Sequence, residues 1–143
     1  MEVARQLLAR VSRLVISVGP HPAETQLGAS LAARLGACAI STEGKLSWAQ
    51  LAGVLYQAKL FVGLDTAAMH LAAACQCPTV AIFGPSRVSA WCPFRVPHRV
   101  VVPPGANATL NDSARAELET SGVGVDGVVA ACLELLAAPR GVE

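Results

Sequence analysis

Thr66 and His70 stand at a spacing that can bind an anion, with Asp65 directly before them. They follow the apolar run Leu60–Leu64 and open the alanine-rich stretch Ala67–Ala74. A helix starting after Thr66 leaves the backbone N–H groups of Ala67 and Ala68 without helical partners. Its dipole adds partial positive charge at the same end, which suits a pyrophosphate. Asp65 does not suit phosphate, because like charges repel; it is expected to cap the helix or orient its neighbours. His70 lies four residues beyond Thr66, about one helical turn, so both side chains can share a face. An imidazole there can donate a hydrogen bond to a phosphate or to a sugar hydroxyl. Plainer readings fit the same residues: an ordinary capped helix, and a core histidine bonded to a carbonyl. Spacing alone favours the plainer readings. Met69 and Leu71 are read as core.

Two further groups sit at turns. Glu24 follows Gly19-Pro20, at the carboxyl end of an expected strand. A carboxylate there can accept from ribose hydroxyls, or it can serve as a first-turn glutamate facing the helix dipole. The two readings weigh equally. Gly84-Pro85-Ser86 ends another apolar run, where Gly84 allows close ligand approach and Ser86 offers a hydroxyl.

Other patterns carry less. Gly122-Val123-Gly124-Val125-Asp126-Gly127 has dinucleotide-loop spacing, but no strand precedes it and no βαβ unit surrounds it. Cys75-Gln76-Cys77 lacks a second ligand pair for zinc. Asn107 and Asn111 open formal glycosylation acceptors, which mean little without a secretion signal. No Ser/His/Asp or Cys/His nucleophile arrangement and no carboxylate pair is implied by spacing. No catalytic residue, metal or cofactor is therefore assigned.

The elements that must hold these residues alternate in type. Met1–Val11 has helical apolar spacing, and Arg13–Gly19 reads as a strand. Pro22–Leu35 is a helix stopped by Gly36, and Ala37–Ile40 is a short strand. Ser47 caps a helix from Trp48 to Ala58. Strand Leu60–Leu64, buried on both faces, then helix Ala67–Cys75 and strand Thr79–Phe83 follow. Ser86–Pro97 is irregular, and Arg99–Val102 is the final strand. Pro103–Asn111 reads as loop, Ser113–Thr120 as a short helix, and Asp126 as the cap of a helix running to Ala138, with a frayed tail. The alternation implies an α/β fold of Rossmann-like form, with a mainly parallel sheet flanked by helices. Ligands in such sheets bind at the carboxyl ends of the strands.

The 143 residues suit one domain. A net charge of +1 gives no electrostatic footprint for nucleic acid or an acidic membrane. No apolar run reaches the roughly 20 residues of a membrane span, and Met1-Glu2-Val3 does not open a signal peptide. Five cysteines scattered through apolar segments suggest reduced core thiols and a cytoplasmic location.

Two blocks carry a resemblance. Asp65, Thr66, Ala67, Met69, His70, Leu71, Ala72, Ala73 and Ala74, followed by Pro78, Phe83, Gly84 and Pro85, match the pattern D-T-G-x-x-H-x-A-A-A then P-x-x-x-x-F-G-P. In this the chain resembles glycosyltransferase family 9, which includes the lipopolysaccharide heptosyltransferases. Ala67 departs from the family's usual glycine, so the backbone there is expected to approach a phosphate less closely. The family often has threonine where Ser86 stands.

The resemblance implies one half of a two-domain GT-B-type architecture, the C-terminal, donor-binding half, spanning residues 1–143. It implies that Asp65, Thr66, Ala67, Ala68, His70, Glu24, Leu46, Gly84 and Ser86 bind a nucleotide-diphosphate sugar, with ADP-heptose as the expected donor. Leu46 and Ser47 resemble a step that borders the adenine; core packing of Leu46 explains it equally well. Trp91 and Pro93 resemble a W-x-P region that can wall the cleft or cover the sheet end. The family's half opens with a strand that is not found here before Met1–Val11. Its absence would leave a gap, a sheet in which Arg13–Gly19 pairs directly with Leu60–Leu64, or an edge that recruits another chain. A fragment and a standalone relic both fit. The general base comes from the family's first half, so the chain alone is expected to bind donor weakly without turnover. Expected partners are an ADP-sugar and either a second copy or a separate N-terminal half; nucleic acid is not one. A non-catalytic interaction module is the alternative, and a different nucleotide-sugar enzyme such as an epimerase is a third.

Overall fold

The computed structural model describes residues 1–106 and 120–138. The chain divides into two units, Met1–Leu51 and Ala52–Glu143. The first unit holds α1 (Glu2–Leu8), β1 (Leu14–Ile16), α2 (Pro22–Leu35) and β2 (Ala39–Ser41). The unit boundary falls inside α3 (Trp48–Gln57). The second unit holds β3 (Phe61–Leu64), α4 (Ala67–Ala74), β4 (Thr79–Ile82), a short α5 (Val88–Trp91), β5 (His98–Val101) and α6 (Val125–Ala137). Every strand pairing is parallel, as the alternation of elements requires.

In the first unit β1 pairs with β2, Leu14 opposite Ala39 and Ile16 opposite Ser41. The strand expected over Arg13–Gly19 shrinks to three residues because β2 offers only three partners. The end of α1 also comes earlier than Val11, closed by bonds from Arg10 and Val11 N–H back to Leu7. Helix α2 runs from Pro22 to Leu35, as its punctuation requires: proline at the first position and Gly36 at the end, with φ of 78°. His21 caps it, Nδ1 accepting from Ala23 N–H at 3.3 Å. Gly28 is buried, and a Cβ there would lie 2.8 Å from Ser41 Oγ and 2.9 Å from Val18 Cγ1. Glycine is what lets α2 lie this close to β2. Ser47 and Gln50 then exchange bonds at the head of α3, Ser47 N–H to Gln50 Oε1 at 2.9 Å and Gln50 N–H to Ser47 Oγ at 3.3 Å. This is a capping box, with a glutamine three residues after the serine.

In the second unit the sheet order is β3-β4-β5. Met69, Ala81 and Phe83 are buried together, with Phe61, Val88, Val100 and Val102 packed around them. Helix α4 packs on β3 and β4, and α6 on β4 and β5. From α6 the residues Val128, Val129, Ala131, Cys132 and Leu135 are buried. Arg99 Nε donates to Glu134 Oε2 at 2.7 Å across the exposed side of that contact.

Several expectations change. Leu60–Leu64 is not buried on both faces; β3 is half-buried and Leu64 is exposed. The reason is its place at the end of the sheet, where only β4 pairs with it. β1 and β2 form one sheet, and β3, β4 and β5 another. Ser86–Pro97 is not wholly irregular, because it contains α5. Asp126 is not the cap of α6: Gly124 takes that position and Asp126 sits in the first turn, where its charge faces the dipole. All but the last residue of the helix expected over Ser113–Thr120, most of the loop Pro103–Asn111, and the tail lie outside the described residues, as do Asn107 and Asn111. Among the described residues no helix is long and apolar enough to cross a membrane.

Candidate functional site

The register of β3 and β4 brings two turns to one sheet edge. Leu64 lies opposite Ile82, and Asp65 N–H donates to Ile82 O at 3.2 Å, one residue past the strand. The chain then bends at Thr66, whose extended backbone (φ −145°, ψ 171°) makes it the N-cap of α4. On the neighbouring strand Phe83 N–H donates to Val101 O at 3.0 Å, and Gly84 and Ser86 follow from the same edge, the first buried and the second half-buried.

The head of α4 is uncapped by side chains. Neither Asp65 nor Thr66 makes the capping bond expected from its residue type. Thr66 O accepts from Met69 N–H at 3.0 Å and from His70 N–H at 3.3 Å, closing the first turn. The N–H groups of Ala67 and Ala68 have no acceptor among the described residues. Two parallel donors and the positive end of an eight-residue helix therefore meet at an exposed bend. Ala67 sits in ordinary helical backbone, not in the left-handed region, so the bend itself does not demand glycine there.

His70 stands one turn further along. Its side chain is 43% exposed, so it is not a core histidine, while Met69 beside it is fully buried. The Asp65 side chain is only 14% exposed, and its Oδ1 lies 3.7 Å from His70 Nε2. That is too long for a direct hydrogen bond, yet near enough for the carboxylate to orient the ring. Asp65 therefore makes no capping bond, and its carboxylate lies beside the His70 ring.

Trp91, at the end of α5, closes the other side of His70. The two rings meet edge to face, with centroids 6.1 Å apart and an interplanar angle of 65°. Trp91 is exposed and Pro93 is buried, so of the W-x-P pair Trp91 alone presents a large surface. The proximity of Trp91 to His70 had no signal in the sequence, where 21 positions separate them. Only the spacing of Val88 and Trp91, three residues apart, hints at the short helix that carries it.

Glu24 and Leu46 belong to the first unit. Glu24 lies in the first turn of α2, and its Oε2 accepts from Gly19 N–H at 2.9 Å. It closes the Gly19-Pro20 turn with one oxygen. Leu46 is exposed rather than packed in a core, directly before the capping box of α3.

The model of glycosyltransferase family 9 (heptosyltransferase) matches residues 1–117. Three solved structures are similar. A family 9 glycosyl transferase from Veillonella parvula superposes with a TM-score of 0.79 at 20% identity, over 94% of this chain and 39% of its own. The E. coli ADP-heptose lps heptosyltransferase II gives 0.72 at 22% identity, over 94% and 39%. The E. coli heptosyltransferase WaaC, solved with ADP, gives 0.72 at 25% identity, over 94% and 38%. The chain therefore spans about two fifths of the length of these structures. No curated protein sequence matches it significantly.

Proposed function

This chain belongs to glycosyltransferase family 9, the heptosyltransferase family, and from that premise we propose that the bend at Thr66 holds the diphosphate of a nucleotide-diphosphate sugar. One observation carries the reading: among the described residues the amides of Ala67 and Ala68 lack acceptors at an exposed, uncapped helix end, with His70 one turn away. Phosphate oxygens are acceptors of the right charge for such an end. In sugar transfer the leaving diphosphate gains negative charge as the glycosidic bond breaks. Fixed amides and a helix dipole stabilise that charge without reorganising, which is where they contribute most to the rate. Gly84 and Ser86, leaving the same sheet edge, flank the diphosphate.

ADP-heptose is the proposed donor, in keeping with the family and with its solved members named above, and a lipopolysaccharide-core hydroxyl is the proposed acceptor. The general base belongs to the other half of such enzymes, so this chain is assigned donor binding without turnover. Within the first unit, Glu24 is proposed as a ribose acceptor, with the oxygen that does not close the Gly19 turn.

Calorimetry with ADP tests the reading. Thr66 makes no capping bond, so Thr66→Val should leave the melting temperature nearly unchanged while weakening ADP binding. Equal affinity of the wild type and the Thr66→Val/His70→Ala double variant would remove the assignment. Glycosyl transfer by the chain alone would contradict the assigned division of labour. The second reading, an interaction module that keeps the fold, draws on Ala67, whose Cβ stands where the family motif has glycine. A stable dimer with no thermal shift by any nucleotide would favour it.

A further inference from the structure

Trp91 is a large exposed aromatic beside His70 that the diphosphate reading leaves without a task, and we infer that its indole is a stacking platform for the sugar ring of the donor. The inference rests on the diphosphate site proposed above. Trp91 is 56% exposed, yet the backbone that carries it is pinned on both sides. Ala90 and Trp91 N–H both donate to Arg87 O at 3.1 Å, and Cys92 N–H donates to Val88 O at 2.9 Å. Val88, one turn before, packs on the core around Phe83, and Pro93, two residues after, is fully buried. A short helix fixed at both ends thus holds a large apolar ring out into solvent. Exposed aromatic surface beside convergent polar groups is the composition of a ligand subsite.

The chemistry beside the ring selects a sugar. A sugar ring presents an apolar C–H face and a rim of hydroxyls. Trp91 suits the face, and the His70–Asp65 pair suits the rim. Asp65 Oδ1 lies 3.7 Å from Nε2, and Nδ1 has no partner among the described residues. A hydroxyl both donates and accepts, so it satisfies that nitrogen in either tautomer, whereas a phosphate oxygen only accepts. The spacing also fits a donor. The diphosphate lies at Ala67 and Ala68, His70 stands two to three residues on, about 3–4.5 Å along the helix axis, and the Trp91 ring lies 6.1 Å from the His70 ring, centroid to centroid.

The protein has two tryptophans, so Trp48→Phe leaves Trp91 as the sole indole reporter. In that background ADP-glucose should quench Trp91 emission, and ADP should do so far less. By calorimetry, Trp91→Ala should weaken ADP-glucose about tenfold while leaving ADP within about twofold, and Trp91→Phe should recover most of the loss. Thermal melts should show both variants folded, because the side chain is largely solvent-exposed. Equal losses for ADP and ADP-glucose would make Trp91 a nucleotide contact and overturn the platform alone. Unchanged binding of both ligands in Trp91→Ala would also overturn it, with the diphosphate site intact. Failure of the wild type to bind either ligand would overturn the diphosphate reading and the platform together.

Discussion

The two units solve the same packing problem to different degrees. Both place helices on parallel strands, yet only Leu7 and Gly28 are buried in Met1–Leu51. The other unit buries residues from α4, β4 and α6, including Phe83, Met69, Val80 and Cys132 at 0% exposure. Val15, Leu27, Ile40 and Trp48 of the first unit stay exposed. A three-stranded sheet with helices on β3, β4 and β5 can enclose a core; a two-stranded sheet with one closely packed helix cannot. The candidate diphosphate bend belongs to the unit with the core. Rigid support behind a site keeps its donors in place at low cost in ordering entropy.

The largest test of that contrast is Phe83→Ala. Loss of a fully buried phenyl ring should cost about 3–5 kcal/mol in urea denaturation. Leu27→Ala, at a position 58% exposed, should cost under about 0.5 kcal/mol. Similar losses at the two positions would erase the distinction. The second test works inside the first unit. Gly28→Val drives two methyl groups into Ser41 and Val18 and should cost about 1–3 kcal/mol. No loss would mean that α2 can lift from β2 freely, which would sharpen the contrast.

A pH-dependent effect comes from the thiols. Burial pushes the Cys132 thiol up from 9.0 to about 11. Between those values the unfolded chain has released its proton and the folded chain has not, so stability should fall as pH rises from about 9 to about 11. The melting temperature should follow that fall. In the folded protein at pH 8 an alkylating reagent should modify exposed Cys38 and spare Cys132. Equal labelling of both would show that α6 opens as readily as the other unit.

Legibility in the sequence followed the range of the forces involved. Helix α2 was readable to the residue, because Pro22 and Gly36 act locally. The capping role of Ser47 was readable for the same reason. Strand lengths were not, since a strand ends where its partner does, and β2 lies 25 residues from β1 by register. The residues of the bend were legible as a motif, but the missing cap was not: Asp65 turns to His70, one helical turn ahead, instead of to the amides beside it. Trp91 reached His70 through the β4–β5 crossover, which no periodicity reports.

Helix α4 buries Met69 in the core with Ala81 and Phe83, and Ala72 and Ala73 are buried beside it. Methyl groups leave no slack, so the helix rests on the strands like a rail bolted flush to its bed. A bulkier residue at either position would jack up the whole helix and carry the two free amides away from the bend. Directed variation aimed at new donors should therefore spare the hidden underside of α4 and work on the residues above it.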